Sequence, residues 1–195
     1  MTDTDERALA AAAAGGSERA FSELMRRHKD RLFRIIRRLV SDEDAALEVL
    51  QDSFVAMWRS IGRLDPHRPF LAWATRIAIN KSRDWRRREN VRRAIRAFLP
   101  VDTAAQQADP APLADEQVAA ARDVQRVAAA LAEVPVHLRE PLVLTAIDGL
   151  SYAEAADVLG ISRKAVETRI ARARAHLSRL CPDLASAAHA QPGAD

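Results

Sequence analysis

The stretch from Leu150 to Leu180, LSYAEAADVLGISRKAVETRIARARAHLSRL, constrains the fold more tightly than any other part of the chain. Ser151 and Glu154 form an S-x-x-E capping box, in which side chains and orphan amides pair reciprocally and start a helix. An apolar-rich segment runs from Tyr152 to Leu159, and Gly160 can then turn the chain at positive φ without a Cβ penalty. Ser162 caps a second, longer helix along which Val166, Ile170, Ala173 and Leu177 recur at spacings of four, three and four. That row predicts one buried stripe. The opposite face carries Arg163, Lys164, Glu167, Thr168, Arg172 and Arg179, with Arg169 beside the stripe.

Two helices joined by a glycine turn, the second cationic on its outer face, fit the helix-turn-helix of DNA readers. Small Ala156 lets the helices approach, and Val166 and Ile170 lock the second against the first. An ordinary αα-hairpin with a solvated basic face is the alternative reading of the same pattern.

The rest of the chain agrees with an all-α fold. Among 195 residues there are only 6 glycines and 1 tyrosine, while alanine and arginine are abundant. A hydrophobic content of 48% and a charged content of 29% supply core material for a soluble globular chain. Net charge is only +3, so clustering of charge matters more than its total. The single Cys181 cannot form an internal disulfide. An acidic N-terminus (Asp3, Asp5, Glu6), an alanine run too weakly apolar for a signal segment, and no run of membrane-spanning length predict a cytoplasmic protein without membrane insertion. The five histidines are scattered, with no metal-ligand spacing, phosphate-cradling glycine loop or nucleophile–base grouping. No catalytic residue, metal or cofactor is expected.

A short helix over 5–14 ends at Gly15-Gly16, and Ser17 caps the next, with Phe21, Leu24, Met25, Leu32, Ile35, Ile36 and Leu39 as its core side. The character changes at Ser41: from there to Phe54 stand five acids and no base. The first three acids complement a helix N-terminus. That helix continues to about Ile61, with Ala46, Leu47, Leu50, Phe54, Met57, Trp58 and Ile61 expected as the buried stripe. Glu48, Gln51, Asp52 and Val55 share another face, a mildly acidic strip suited to docking a protein. After the breaker-rich loop GRLDPHRP a third long helix places Phe70, Trp73, Ala74 and Ile77 towards the core. Between Arg76 and Arg96 nine bases face two acids, with Asn80, Trp73 and Trp85 interleaved. Arginines hold phosphates, asparagine can read a base edge and aromatic rings can stack on unpaired bases. For Trp73 a core position is the simpler reading.

Residues 100–115, PVDTAAQQADPAPLAD, hold three prolines, no base and no apolar periodicity, which is a linker composition. The chain is therefore read as an N-terminal helical domain (1–99), a linker (100–115), a C-terminal helical domain (116–182) and an alanine-rich tail (183–195) expected to fray. In the C-terminal domain a helix from about Glu116 to Glu133 is expected to bury Val124, Val127, Ala128 and Leu131. A second carries Leu138, Leu142, Val143, Ala146 and Ile147, with Pro141 predicting a late start or a kink.

The blocks AFSELMRRHKDRLFRI, DEDAALEVLQDSFVAMWR, PFLAWATRIAINKSRDWRRR and VPVHLREPLVLTAIDGLSYAEAADVLGISRKAVETRIARARAHL, in this order and spacing, resemble those of an extracytoplasmic-function sigma factor of bacterial RNA polymerase. The resemblance implies that Glu48, Gln51, Asp52 and Val55 dock on core polymerase. It implies that Asn80, a pocket formed by Leu64 and its loop neighbours, and the bases Arg76, Lys81, Arg83, Arg86 and Arg87 receive the separated minus-ten strand. Arg163, Lys164, Glu167, Thr168, Arg169 and Arg172 would then meet the minus-thirty-five duplex, and an anti-sigma factor would restrain the whole. Two positions depart from the family's pattern: Glu167 stands where relatives often carry a base, and Leu64 where some carry an aromatic ring. A two-domain transcription regulator acting without polymerase is the competing reading, and it would require a self-associating helix and a palindromic operator.

Overall fold

The helices begin where small polar side chains can accept backbone amides. In the computed structural model, which describes residues 3–65, 68–98 and 115–182, Ser17 Oγ accepts from Ala20 N, Asp42 Oδ1 from Ala45 N and Ser162 Oγ from Ala165 N. The capping box at Ser151 and Glu154 is formed in both directions, and those hydrogen bonds hold the Glu154 carboxyl below its usual range. Among the described residues eight α-helices result: α1 (Asp3–Ala14), α2 (Glu18–Val40), α3 (Glu43–Ser60), α4 (Phe70–Phe98), α5 (Asp115–Glu133), α6 (Val136–Leu142), α7 (Tyr152–Leu159) and α8 (Arg163–Leu180). Among the described residues there is no strand. The expected linker up to residue 114 and the expected tail from 183 lie outside the described residues.

Helices α1–α4 enclose a first core around Leu24, Leu32, Ile36, Met57, Phe70 and Ala74. Two expectations for α3 change. Leu47 is 52% exposed and Trp58 also faces outwards, while Val49 and Ser53 are buried in their place. The reason is geometric: Val49, Ser53 and Met57 form the row towards α2 and α4, which rotates Leu47 onto the solvent side. Ser53 meets its buried position by donating to the Val49 carbonyl at 2.6 Å. Trp73 and Trp85 both pack against this core, Trp73 with its ring 5.6 Å from that of Phe70.

A second core joins Leu131, Leu138, Leu142, Leu144, Val158, Val166 and Ile170 of the C-terminal helices, and it also takes in Ile35, Leu39 and Ile79 from α2 and α4. The two helical units thus share an apolar seam. Pro141 lies inside α6, where its missing N–H and its ring interrupt the α-helical ladder. The chain answers with a π-helical turn over Val143–Ile147, closed by Asp148 N to Val143 O at 3.0 Å. The wider turn changes the register, so Leu144 is buried while Ala146 and Ile147, expected in the core, are exposed. On α5 only Leu131 of the expected stripe is buried; Val124 and Val127 are exposed and Ala128 is half-buried.

Candidate nucleic-acid and polymerase interfaces

The recognition unit follows its sequence closely. Gly160 adopts φ 68°, its amide bonded back to Ala156, and closes the corner between α7 and α8. Val166, Ile170 and Ala173 are buried and fix the rotation of α8. Arg163, Lys164, Glu167, Thr168 and Arg172 are all exposed on the outer face, and Arg169 is half-buried at its edge. Glu167 accepts from Lys164 Nζ at 3.0 Å, so the acid is paired within the helix in the absence of DNA. An exposed pair of this kind stabilises little and exchanges partners readily. Thr168 Oγ1 donates to the Lys164 carbonyl at 2.8 Å.

On α3 the strip predicted from sequence is a solvent-facing surface. Glu48, Gln51 and Val55 are exposed, and Asp52 is half-buried, with a loose contact of 3.7 Å to Arg88. Leu47 and Trp58 extend the strip, at i−4 and i+7 from Gln51, and Trp58 leans on Phe21 with ring centroids 5.0 Å apart. Sequence reasoning placed both in the core. The missed signal is that Leu47, Gln51, Val55 and Trp58 themselves recur at helical spacing. The result is an apolar band edged by two carboxylates on the surface of α3.

The basic helix α4 differs most from its sequence reading. Asn80 is exposed, and its Oδ1 accepts from Arg83 Nη1 at 3.3 Å. Arg87 is exposed and pairs with Asp84, and Lys81 is half-buried. Of the remaining minus-ten candidates Arg83 and Arg86 are half-buried and Arg76 is exposed, and each reaches a group elsewhere in the protein. Arg83 makes a two-pronged contact with Glu140, Nε to Oε1 and Nη2 to Oε2, both at 2.6 Å, which raises its pKa. Arg76 donates to the carbonyls of Val158, at 3.2 Å, and Asp157. Arg86 Nη1 donates to Leu39 O at 2.8 Å, with burial as the main cause of its lowered pKa. Leu64, expected to help form a base pocket, is instead part of the first core, and its exposed loop neighbours among the described residues are Gly62, Arg63, Asp65, Arg68 and Pro69. Pro66 and His67 of that loop lie outside the described residues.

One residue at this junction gave no sequence signal. Arg139 is fully buried, with no carboxylate paired to it among the described residues; it donates to the carbonyls of Ala132, Val134 and Leu39 and to Ser41 Oγ. It thereby caps the C-terminal ends of α5 and α2 together, where the helix dipoles favour a cation. Burial, and then the charge of Arg86, lower its pKa to about 10, which leaves it charged at neutral pH. Among the described residues no cluster could hold a metal ion, and no helix is long and apolar enough to cross a membrane.

Comparison with known proteins places these surfaces in a family. Residues 24–92 match the model of sigma-70 region 2, and residues 125–177 match that of sigma-70 region 4. The RNA polymerase sigma factor CnrH of Cupriavidus metallidurans is 44% identical over 90% of this chain and 93% of its own length. The ECF RNA polymerase sigma factor SigM of Mycobacterium tuberculosis is 34% identical over 88% of this chain and 82% of its own length. The solved structure of CnrH in complex with the cytosolic domain of CnrY covers 91% of this chain and 97% of that one, at 40% identity and a TM-score of 0.67. Two all-helical units, one bearing the α3 strip and the basic α4 and the other a helix-turn-helix, follow the order of those two regions. This chain belongs to the extracytoplasmic-function sigma factors, the subunits that bind core RNA polymerase and direct it to promoters.

Proposed function

We propose that the chain divides promoter recognition among three surfaces of its own, with residues 1–99 and 116–182 as the two working domains. The α3 strip of Glu48, Gln51, Asp52 and Val55, lengthened by Leu47 and Trp58, docks on core polymerase. Asn80 reads an extruded base of the minus-ten strand, and Arg76, Lys81, Arg83, Arg86 and Arg87 supply the cationic surface for its phosphates. The outer face of α8, with Arg163, Lys164, Thr168, Arg169 and Arg172, enters the major groove at the minus-thirty-five element, where Glu167 accepts from a cytosine amine. Leu64 has no direct part; buried, it anchors the loop.

The observation that carries this reading is the contrast within α8: every groove-facing candidate but Arg169 is exposed while Val166, Ile170 and Ala173 hold the helix fixed. A polymerase-independent regulator would leave the apolar α3 strip without a role. The chain performs no bond-making step itself and acts in the cytoplasm on the core enzyme. The complex of CnrH with the cytosolic domain of CnrY supports a second proposal, that an anti-sigma factor binds this chain as well.

The test is transcription from purified components. Core polymerase with this chain is expected to yield promoter-specific transcripts from a genomic fragment library, and Glu48→Arg with Asp52→Arg is expected to abolish both co-purification with core and transcription. Absence of any specific transcript with the unaltered chain overturns the sigma assignment of these surfaces; unchanged core binding by the double variant overturns the docking strip alone.

A further inference from the structure

Phe33, Arg34, Arg37 and Arg38 recur at helical spacing on the C-terminal half of α2, so they share one side of the helix. With Ser41, which follows the last turn, they form one wall of a groove of about 370 Å³. The other wall is α5, where Leu131 and the small Ala128, Ala129 and Ala132 leave the space open. Arg37 and Arg38 are half-buried and Arg34 is exposed. Among the described residues none of the three has a carboxylate partner, and no acid lines the groove. Elsewhere crowded arginines are paired: Arg26 and Arg27 with Glu23, Arg93 and Arg96 with Glu89.

The ordinary structural task of basic residues in a last helical turn is to complement its carbonyls. In α2 other groups already do this. Leu39 O accepts from Arg86 at 2.8 Å and from Arg139 at 3.2 Å, and Arg37 O accepts from the Ser41 amide. Ser41 has φ 67°, and among the described residues no other non-glycine residue has a positive φ. Its Oγ accepts from Arg139 Nη1 at 3.2 Å, which leaves its own proton to donate. The groove thus gathers three unpaired guanidiniums, a hydroxyl donor, an aromatic ring and an apolar wall.

Guanidiniums fork onto phosphate oxygens, and three of them on adjacent turns span linked phosphates better than a single one. The volume lies at the small end of ligand sites, which run from about 300 to 1,000 Å³. That size admits a mononucleotide and excludes a duplex. We propose that the α2–α5 groove binds a nucleoside di- or triphosphate: Arg34, Arg37 and Arg38 hold the phosphates, Ser41 donates to a phosphate oxygen, and Phe33 with the alanines of α5 takes the base. The site uses none of the residues assigned to promoter or polymerase, so it stands or falls apart from that reading. A ligand held by both walls stabilises the folded chain by mass action.

The experiment uses the full chain without polymerase. Calorimetric titration with ADP, GDP, pyrophosphate and guanosine, up to about 1 mM, the weak end of specific binding, is run beside thermal unfolding with and without each compound. A nucleoside diphosphate is expected to bind one to one and raise the melting temperature, with pyrophosphate weaker and guanosine inert. Arg37→Gln with Arg38→Gln is expected to weaken binding about tenfold or more. Arg19→Gln with Arg59→Gln removes the same charge from exposed sites elsewhere and is expected to leave affinity unchanged. Ala129→Leu fills the groove without touching a charge and is expected to weaken nucleotide binding as well, which keeps the test decisive if the arginine variant does not fold. Absence of saturable nucleotide binding overturns the site, and so does equal loss in the Arg19 and Arg59 variant. Pyrophosphate binding as tightly as the nucleotide overturns the role of the base. If a single-stranded oligonucleotide binds, loses affinity with Arg37 and Arg38 and keeps it in Ala129→Leu while nucleotides do not bind, these arginines serve a nucleic-acid backbone and the proposal fails.

Discussion

Helices α4 and α8 have similar sequences in the sense that matters to a composition argument: both are amphipathic, arginine-rich and flanked by apolar rows. Their situations differ. On α8 the bases stand outside a narrow buried stripe of Val166, Ile170 and Ala173, and among the described residues the acid paired with them is Glu167. On α4 Arg76 and Arg83 lie on the same face as Ile79, so burying the isoleucine carries them into contact with Asp157, Val158 and Glu140. A cation poised for DNA and a cation poised for a neighbouring domain cannot be told apart by residue type. The phase of the charges relative to the apolar row separates them.

The comparison is broken most directly at the seam. Ile79→Ala is expected to destabilise the packing of the two units by about 2–5 kcal/mol, as for other large-to-small core changes. Urea unfolding followed separately at the tryptophans, which all lie in the first unit, and by overall helicity would show the C-terminal helices melting earlier; coincident, unshifted transitions would mean that the seam is not a shared core. Next in size, Arg172→Ala on α8 is expected to weaken duplex binding by about 1–3 kcal/mol if the side chain contacts a base edge. A pure phosphate contact would instead lower the salt slope by about 1 with little change in sequence preference. Either result sharpens the claim that α8 is free to bind; no change in affinity would contradict it.

A smaller effect tests what holds α8 in place. Ser162→Ala removes the cap on the Ala165 amide and is expected to cost about 1 kcal/mol in thermal or chemical unfolding, with no effect on the α4 seam. The smallest concerns α1. His28 lies against Phe70 with Nε2 3.3 Å from Glu6, and burial lowers its pKa from 6.5, with Arg31 and Arg27 adding to the lowering and Glu6 opposing it. The unfolded chain therefore takes up this proton at a higher pH than the folded one. Stability is full above the ordinary histidine value and falls as pH drops through it, until the folded group is protonated too. Melting temperatures compared at about pH 7.5 and about pH 5.5 should show a larger loss for the parent than for His28→Gln; an equal loss would place the pH effect elsewhere.

Much of the fold was readable because it depends on neighbours in sequence. The Ser151–Glu154 capping box, the Gly160 corner and the Val166, Ile170 and Ala173 row of α8 are decided within a turn or two of helix, and the structure keeps them as read, with Leu177 half-buried at the end of the row. The solvent-facing strip on α3 was legible from its polar members, while Leu47 and Trp58 were assigned to the core because apolar residues there have two faces to choose from. Pro141 foretold a disturbance in α6, though not that a π-helical turn would absorb it and expose Ile147. Arg139 was invisible to any local pattern, because its acceptors, Leu39, Ala132 and Val134, are carbonyls brought together only by folding.

The sequence alone determined the helices, their caps, the order of the two units and the family, since each rests on short-range hydrogen bonding, apolar spacing or motif identity. Tertiary structure decided which charges are free. Arg83 and Arg172 carry the same guanidinium, yet one ends on a buried carboxylate from a helix 57 residues away and the other in water. Coulomb attraction does not distinguish a phosphate from a glutamate. Only the packing of Ile79, Ile35 and Leu39 into the second core brings Glu140 within reach of Arg83.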